Sequence, residues 1–205
     1  MKKFMLTMAL AGLVAAAGFS RAEAADARAK AVAAPDEKVT NGYDLKPQAL
    51  LDLKQLQKKF TDLAGAIPQD KYTWRPGPGV RSVSETFLHV TQANYFILSF
   101  LGIPRPAGTD AKDFETSTMD KAKIIDELNK SFAFAEDQVE KLTNADLAKS
   151  LPKMGPDANE GDVVYLLVTH CHEHLGQMIA YARVNSVVPP WTAAAQAKQS
   201  KSPQD

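Results

Sequence analysis

The sequence predicts an all-α protein folded as a single four-helix bundle. Four segments carry apolar residues at helical spacing, and the stretches between them are broken by Pro and Gly. No run alternates with period two for long enough to demand a strand. Hydrophobic residues make up 45% of the 205 positions, which suits one domain with a sizeable core.

The fold is expected to begin well inside the chain. Lys2 and Lys3 form a basic start, Phe4 to Phe19 is apolar, and Ala22-Glu23-Ala24 offers a small-residue cleavage site. Residues 1–24 therefore read as a secretory signal peptide. The apolar run is about sixteen residues, short of the roughly 20 that a spanning helix needs, so no stable membrane insertion is expected after cleavage. The absence of a nearby Cys argues against a lipid anchor, and the absence of an Arg pair points to the general export route. The expected location is periplasmic or secreted. Residues 25–42 are Ala-rich with scattered charges and read as a flexible lead-in.

The first helix is expected over Pro47 to Ala64, with Leu50, Leu51, Leu53, Leu56, Phe60 and Leu63 as its stripe. Pro76-Gly77-Pro78-Gly79 then forces a loop. The second helix starts at Ser82, where Ser82-Val83-Ser84-Glu85 has the capping-box pattern, and runs to Leu101 before Gly102 and Pro104. After a second loop, the third helix spans Met119 to Leu142, with Ile124, Ile125, Leu128, Phe132, Ala135 and Val139 as its stripe. Residues 144–160 form a loop with one short turn. The fourth helix runs from Asp162 to Asn185 and stops before Pro189-Pro190. Residues 192–205 read as a flexible tail. Such a bundle builds metal sites from side chains on facing helices.

Three of the four histidines point inward in this arrangement. His170 and His174 are about 40° apart on a helical wheel and share a face with Leu167, Met178 and Tyr181. His172 falls on the opposite side. His89 lies on the apolar face of the second helix, with Phe96, Phe100 and Ala93. Buried imidazoles need partners, and leaving one unpaired costs roughly 1–3 kcal/mol. Either they are hydrogen-bonded core residues, or they hold a divalent ion such as zinc, nickel, iron or copper with a position left open. Glu85, one turn before His89, has two readings. It is the capping partner of Ser82, or it serves the site as acceptor for an imidazole N–H, extra ligand or general base. Cys171 reads as a small buried hydrophobe; Gln177 is expected to hydrogen-bond near the site or across the bundle, and Tyr181 either to do likewise or to pack. Trp74 and Trp191 are expected to anchor loop and tail.

Composition narrows the function classes. The formal net charge is zero, and removal of Lys2, Lys3, Arg21 and Glu23 with residues 1–24 leaves −2. With no basic cluster, the chain has no electrostatic footprint for nucleic acid. A lone Cys171 forms no internal disulfide.

Two signatures carry a family resemblance. Trp74-Arg75-Pro76-x-Pro78-Gly79-x-Arg81-Ser82-Val83-Ser84-Glu85-x-x-x-His89 resembles the second-helix signature of the DinB-like (DinB/YfiT) superfamily. His170-x-x-x-His174-x-Gly176-Gln177-x-x-x-Tyr181-x-Arg183, followed by Pro189-Pro190, resembles its last-helix signature. The resemblance covers residues 43–191. It implies an up-down-down-up four-helix bundle, often a homodimer, in which His89, His170 and His174 match the metal triad, with zinc or nickel foremost. Relatives include thiol transferases and isomerases that use low-molecular-weight thiols such as bacillithiol, mycothiol or glutathione. Two departures stand out. Most relatives are cytoplasmic whereas this chain carries an export signal, and Ser186 stands where a turn glycine is common.

The expected function is that of a divalent-metal-dependent enzyme of hydrolase or thiol S-transferase type. Its three-histidine site would activate water or a thiol for attack on a small electrophilic substrate. The alternative is a non-catalytic exported bundle that holds a metal or small ligand.

Overall fold

A computed structural model describes residues 44–200. The signal-peptide and lead-in readings fall on residues 1–42, outside the described residues. Among the described residues there are six α-helices: α1 (Leu45–Ala66), α2 (Val83–Leu98), α3 (Lys121–Lys141), α4 (Asn144–Leu147), α5 (Glu160–Val184) and α6 (Pro190–Gln199). Among the described residues there is no strand, only an isolated bridge between Ser150 and Asn159.

The four long helices are those expected, with ends moved by capping chemistry. Helix α1 starts at Leu45 because the Asp44 side chain accepts from the Lys46 N–H, which places Pro47 in the first turn, where it costs no hydrogen bond. Asp120 caps α3 in the same way through the Lys123 N–H. Helix α5 begins at Glu160, earlier than the sequence suggests, because Asn159 and Asp162 form a reciprocal capping box. Asp162 is the third residue of that helix. Helix α2 ends at Leu98, and Ser99–Leu101 continues as a 3-10 turn closed by Gly102 at φ 78°. Helix α6 occupies part of the segment read as a flexible tail. Pro190 at its first turn and a run of alanines favour helix there, with no side chain of α6 fully buried.

The helix directions follow from end contacts. Lys46 Nζ donates to the Glu140 carbonyl and Lys121 Nζ to the Ile67 carbonyl, so α1 and α3 are antiparallel. Arg81 meets Tyr181 and Asn94 meets Cys171, so α2 and α5 are antiparallel too. Leu45 packs at the start of α5, where a Cβ on Gly161 would lie 3.2 Å from Leu45 Cδ2. Helices α1 and α5 are therefore parallel. The result is the up-down-down-up order, and α2 and α3 need the long crossover through residues 102–120.

The core lies between these helices. Phe60 of α1 sits 5.7 Å from Phe132 of α3 and 6.4 Å from Phe87 of α2, ring centroid to centroid. All three are fully buried, and truncating one to Ala would cost about 3–5 kcal/mol. One polar group crosses this core. Asn94 donates to Ser131 Oγ of α3 at 3.2 Å and accepts from the Cys171 thiol of α5 at 3.2 Å. Burial pushes the Cys171 thiol up to about 12, so it stays protonated and acts as a core donor.

The Schellman end of α5 positions its last turn. Val187 N–H bonds the Ala182 carbonyl at 2.8 Å, and Ser186 takes φ 62°, the left-handed position usually held by glycine.

Candidate metal centre

The antiparallel pairing of α2 and α5 sets His89 opposite His170 and His174. The ring centroids are 4.5 Å apart for His170 and His174, 4.7 Å for His89 and His174, and 5.2 Å for His89 and His170. One nitrogen from each ring lies within 4.8 Å of the other two. His89 Nε2 and His170 Nε2 face each other at 3.2 Å. All three rings are half-buried, whereas His172 is exposed on the far face.

Two outer hydrogen bonds fix which nitrogens point inward. His89 Nδ1–H donates to Glu115 Oε1 at 2.7 Å, and His174 Nδ1–H donates to Gln177 Oε1 at 2.8 Å. Each ring then presents its Nε2 lone pair to the shared space. The His170 Nδ1 is buried and has no partner among the described residues. Without an ion, His170 has one partner, the His89 Nε2 lone pair at 3.2 Å, and a buried Nδ1 that is left unsatisfied. The donor set fits a divalent ion placed among the three nitrogens.

The supporting chains converge on one residue. Arg81 grips Glu115 through Nε–Oε2 at 2.6 Å and Nη2–Oε1 at 3.1 Å. Gln177 Nε2 donates to the Tyr181 hydroxyl at 2.9 Å, which donates to the Arg81 carbonyl at 3.3 Å. The side chain of Arg81 thus steadies the His89 partner and its backbone steadies the His174 partner. Trp74 packs edge-on against Tyr181 at 5.2 Å and its backbone pairs with Val83, so the Pro/Gly-rich loop is tied to the same corner.

Electrostatics keep His89 and His170 neutral. Burial holds His89 below the ordinary histidine value, outweighing the pull of Glu115 in the other direction. Burial and the neighbouring His174, His89 and Arg81 charges lower His170 to about 4. Burial alone would raise Glu115, but Arg81 and His89 bring it below the usual carboxylate range. Neutral imidazoles are the form that ligates a metal.

Glu85 is placed elsewhere. Its Oε2 accepts from the Ser82 N–H at 2.7 Å and its Oε1 from Arg75 Nη2 at 2.9 Å. Both oxygens belong to the capping box and the loop ion pair, which is the first of its two sequence readings. The carboxylate that touches an imidazole is Glu115, which the sequence reading missed. Glu115 lies in a short 3-10 turn, Phe114–Thr116, and no helical phase links it to His89. The available signal was an acidic residue in the crossover that must return past α2.

Fold and site together define a helical-bundle protein with a three-histidine centre at the meeting of its second and last long helices. The chain belongs to the DinB superfamily, whose sequence profile matches residues 52–178. Two solved structures are similar in fold. One is a DinB-like protein from Bacillus cereus, at 19% identity and a TM-score of 0.58, covering 69% of this chain and 93% of that one. The other is YfiT from Bacillus subtilis, at 15% identity and a TM-score of 0.56, covering 75% of this chain and 94% of that one. YfiT is described as a probable metal-dependent hydrolase with an unusual four-helix bundle topology. None of the curated proteins compared matches the chain. No described helix is long and apolar enough to cross a membrane.

Proposed function

We propose that the chain is a divalent-metal-dependent hydrolase acting on a small electrophilic substrate, with His89, His170 and His174 holding the ion. The observation that carries this reading is the convergence of three imidazole nitrogens within 4.8 Å, two of them turned inward by their outer hydrogen bonds. The description of YfiT supports the same reaction class. When bound, the ion would supply Lewis acidity to polarise the substrate or acidify a water.

The protein's own groups do the positioning. Glu115 keeps the proton on His89 Nδ1, and Gln177 keeps the proton on His174 Nδ1. Arg81 holds both partners in place, so the two rings cannot rotate their lone pairs away. A cavity of about 280 Å³ lies beside His89 and Glu115, lined also by Gln92 and Phe96 of α2 and by crossover residues. That volume suits a small molecule.

Activity of the purified chain on 4-nitrophenyl acetate and on matched thioester and amide substrates tests this reading. Turnover should require an added divalent ion, cease with chelator, and be absent from His174→Ala. Equal turnover in the chelated protein would refute it. Export with removal of residues 1–24 belongs to the same proposal, and the mass of the mature protein isolated from its native cell checks it.

A further inference from the structure

The cavity beside His89 has a charge pattern that the three-histidine reading leaves unused. Its far wall comes from the crossover, where Arg105, Asp110 and Lys112 line it together. Gln92 fixes this wall by donating to the Thr109 carbonyl at 2.9 Å and the Ala111 carbonyl at 3.1 Å. The wall is therefore tied to α2 and holds its shape.

Charges in the cavity do not cancel. Glu115 also lines it, but its carboxylate is already taken by Arg81 and His89. Asp110 can balance only one of Arg105 and Lys112. Neither cation has a carboxylate partner among the described residues, since both are missing from every ion pair formed there. One positive charge is left over. Arg105 is also oriented, because its guanidinium stands over the Phe96 ring at 5.7 Å from the centroid. A guanidinium held in this way presents a planar fork, and a planar fork matches a carboxylate. Phe96 is 45% exposed although it is a large aromatic on α2. It offers an apolar surface in the same cavity, directly beneath Arg105.

We propose that this cavity binds a small monoanionic substrate. Its carboxylate is held by Arg105 and Lys112, its apolar portion lies over Phe96, and its reactive group points toward His89. The assignment of a reactive end rests on the hydrolase reading above, whereas the anion subsite stands on the cavity itself. A single negative charge satisfies the one uncancelled cation. A dianion would add charge next to Asp110 and Glu115.

The test uses two probes of the same shape, 3-phenylpropionate and its neutral amide, 3-phenylpropionamide. Their binding to the full chain is measured by calorimetry or ligand-observed NMR, in metal-loaded and in chelator-treated protein. The carboxylate should bind about tenfold tighter than the amide in both preparations. R105Q/K112Q should bring the carboxylate down to the level of the amide and leave the amide unchanged. Phe96→Ala should weaken both probes alike. Arg105 and Lys112 are exposed, so the double variant should melt with the wild type. Equal binding of the two probes, or no binding of either, overturns the proposal. So does a carboxylate preference that survives R105Q/K112Q but vanishes on chelation, since the anion would then sit on the ion. If the chain takes no metal, the chelator-treated comparison still decides the anion subsite, so the two readings fail separately.

Discussion

His89 and Glu115 are joined at 2.7 Å across 26 positions of sequence, so the crossover sets the orientation of an imidazole that α2 carries. Glu115→Gln keeps the shape of the side chain but removes its charge. It should weaken divalent-metal affinity by about 10- to 100-fold with little change in fold. Chelator competition measures this, and unchanged affinity would show that the contact does not position the ring.

Glu85 separates capping from metal support. Glu85→Gln can keep the capping bond but loses the charge paired with Arg75, and should destabilise the protein by at most about 1 kcal/mol. Metal affinity should stay as in the wild type. A drop like that of Glu115→Gln would mean that Glu85 also serves the site.

The pH dependence of the metal-free protein follows from His170. Its folded value, lowered to about 4 mainly by burial, lies below the ordinary 6.5. The unfolded chain then binds the proton more readily between these values. Stability contributed by the neutral ring is present above pH 6.5 and lost as pH falls toward 4. Thermal unfolding of chelator-treated protein should show a falling midpoint over that window, with a shallower fall in His170→Ala. Equal slopes would count against a buried neutral His170.

Ser186 is strained at φ 62°. A left-handed conformation costs a non-glycine residue about 1–2 kcal/mol. Ser186→Gly removes that cost but loosens the unfolded chain, so a net gain of about 0.5–1 kcal/mol is expected. Denaturant unfolding reads this, and metal stoichiometry should not move, since Ser186 lies outside the site.

What the sequence made legible was periodic. The four long helices, the inward face of His170 and His174, the exclusion of His172 and the burial of Cys171 all follow from 3.6-residue phasing. Helix ends were less legible, because Asp44, Asp120 and Asn159 cap through local bonds that shift each start by about two residues. Glu115, Arg81 and Asn94 were not legible in their roles. Each acts across the bundle, and periodicity carries no information about which loop residue meets which helix. The anchoring of that loop by Gln92 amide bonds is likewise a tertiary fact.

Metal content is the most direct check on the three-histidine centre. The purified chain, stripped and then reloaded in turn with zinc, nickel, iron and copper, is analysed by mass spectrometry beside His170→Ala. About one tightly held ion per wild-type chain is expected, and none in the variant. A wild-type chain that retains no stoichiometric ion, or a His170→Ala that retains as much, would contradict it.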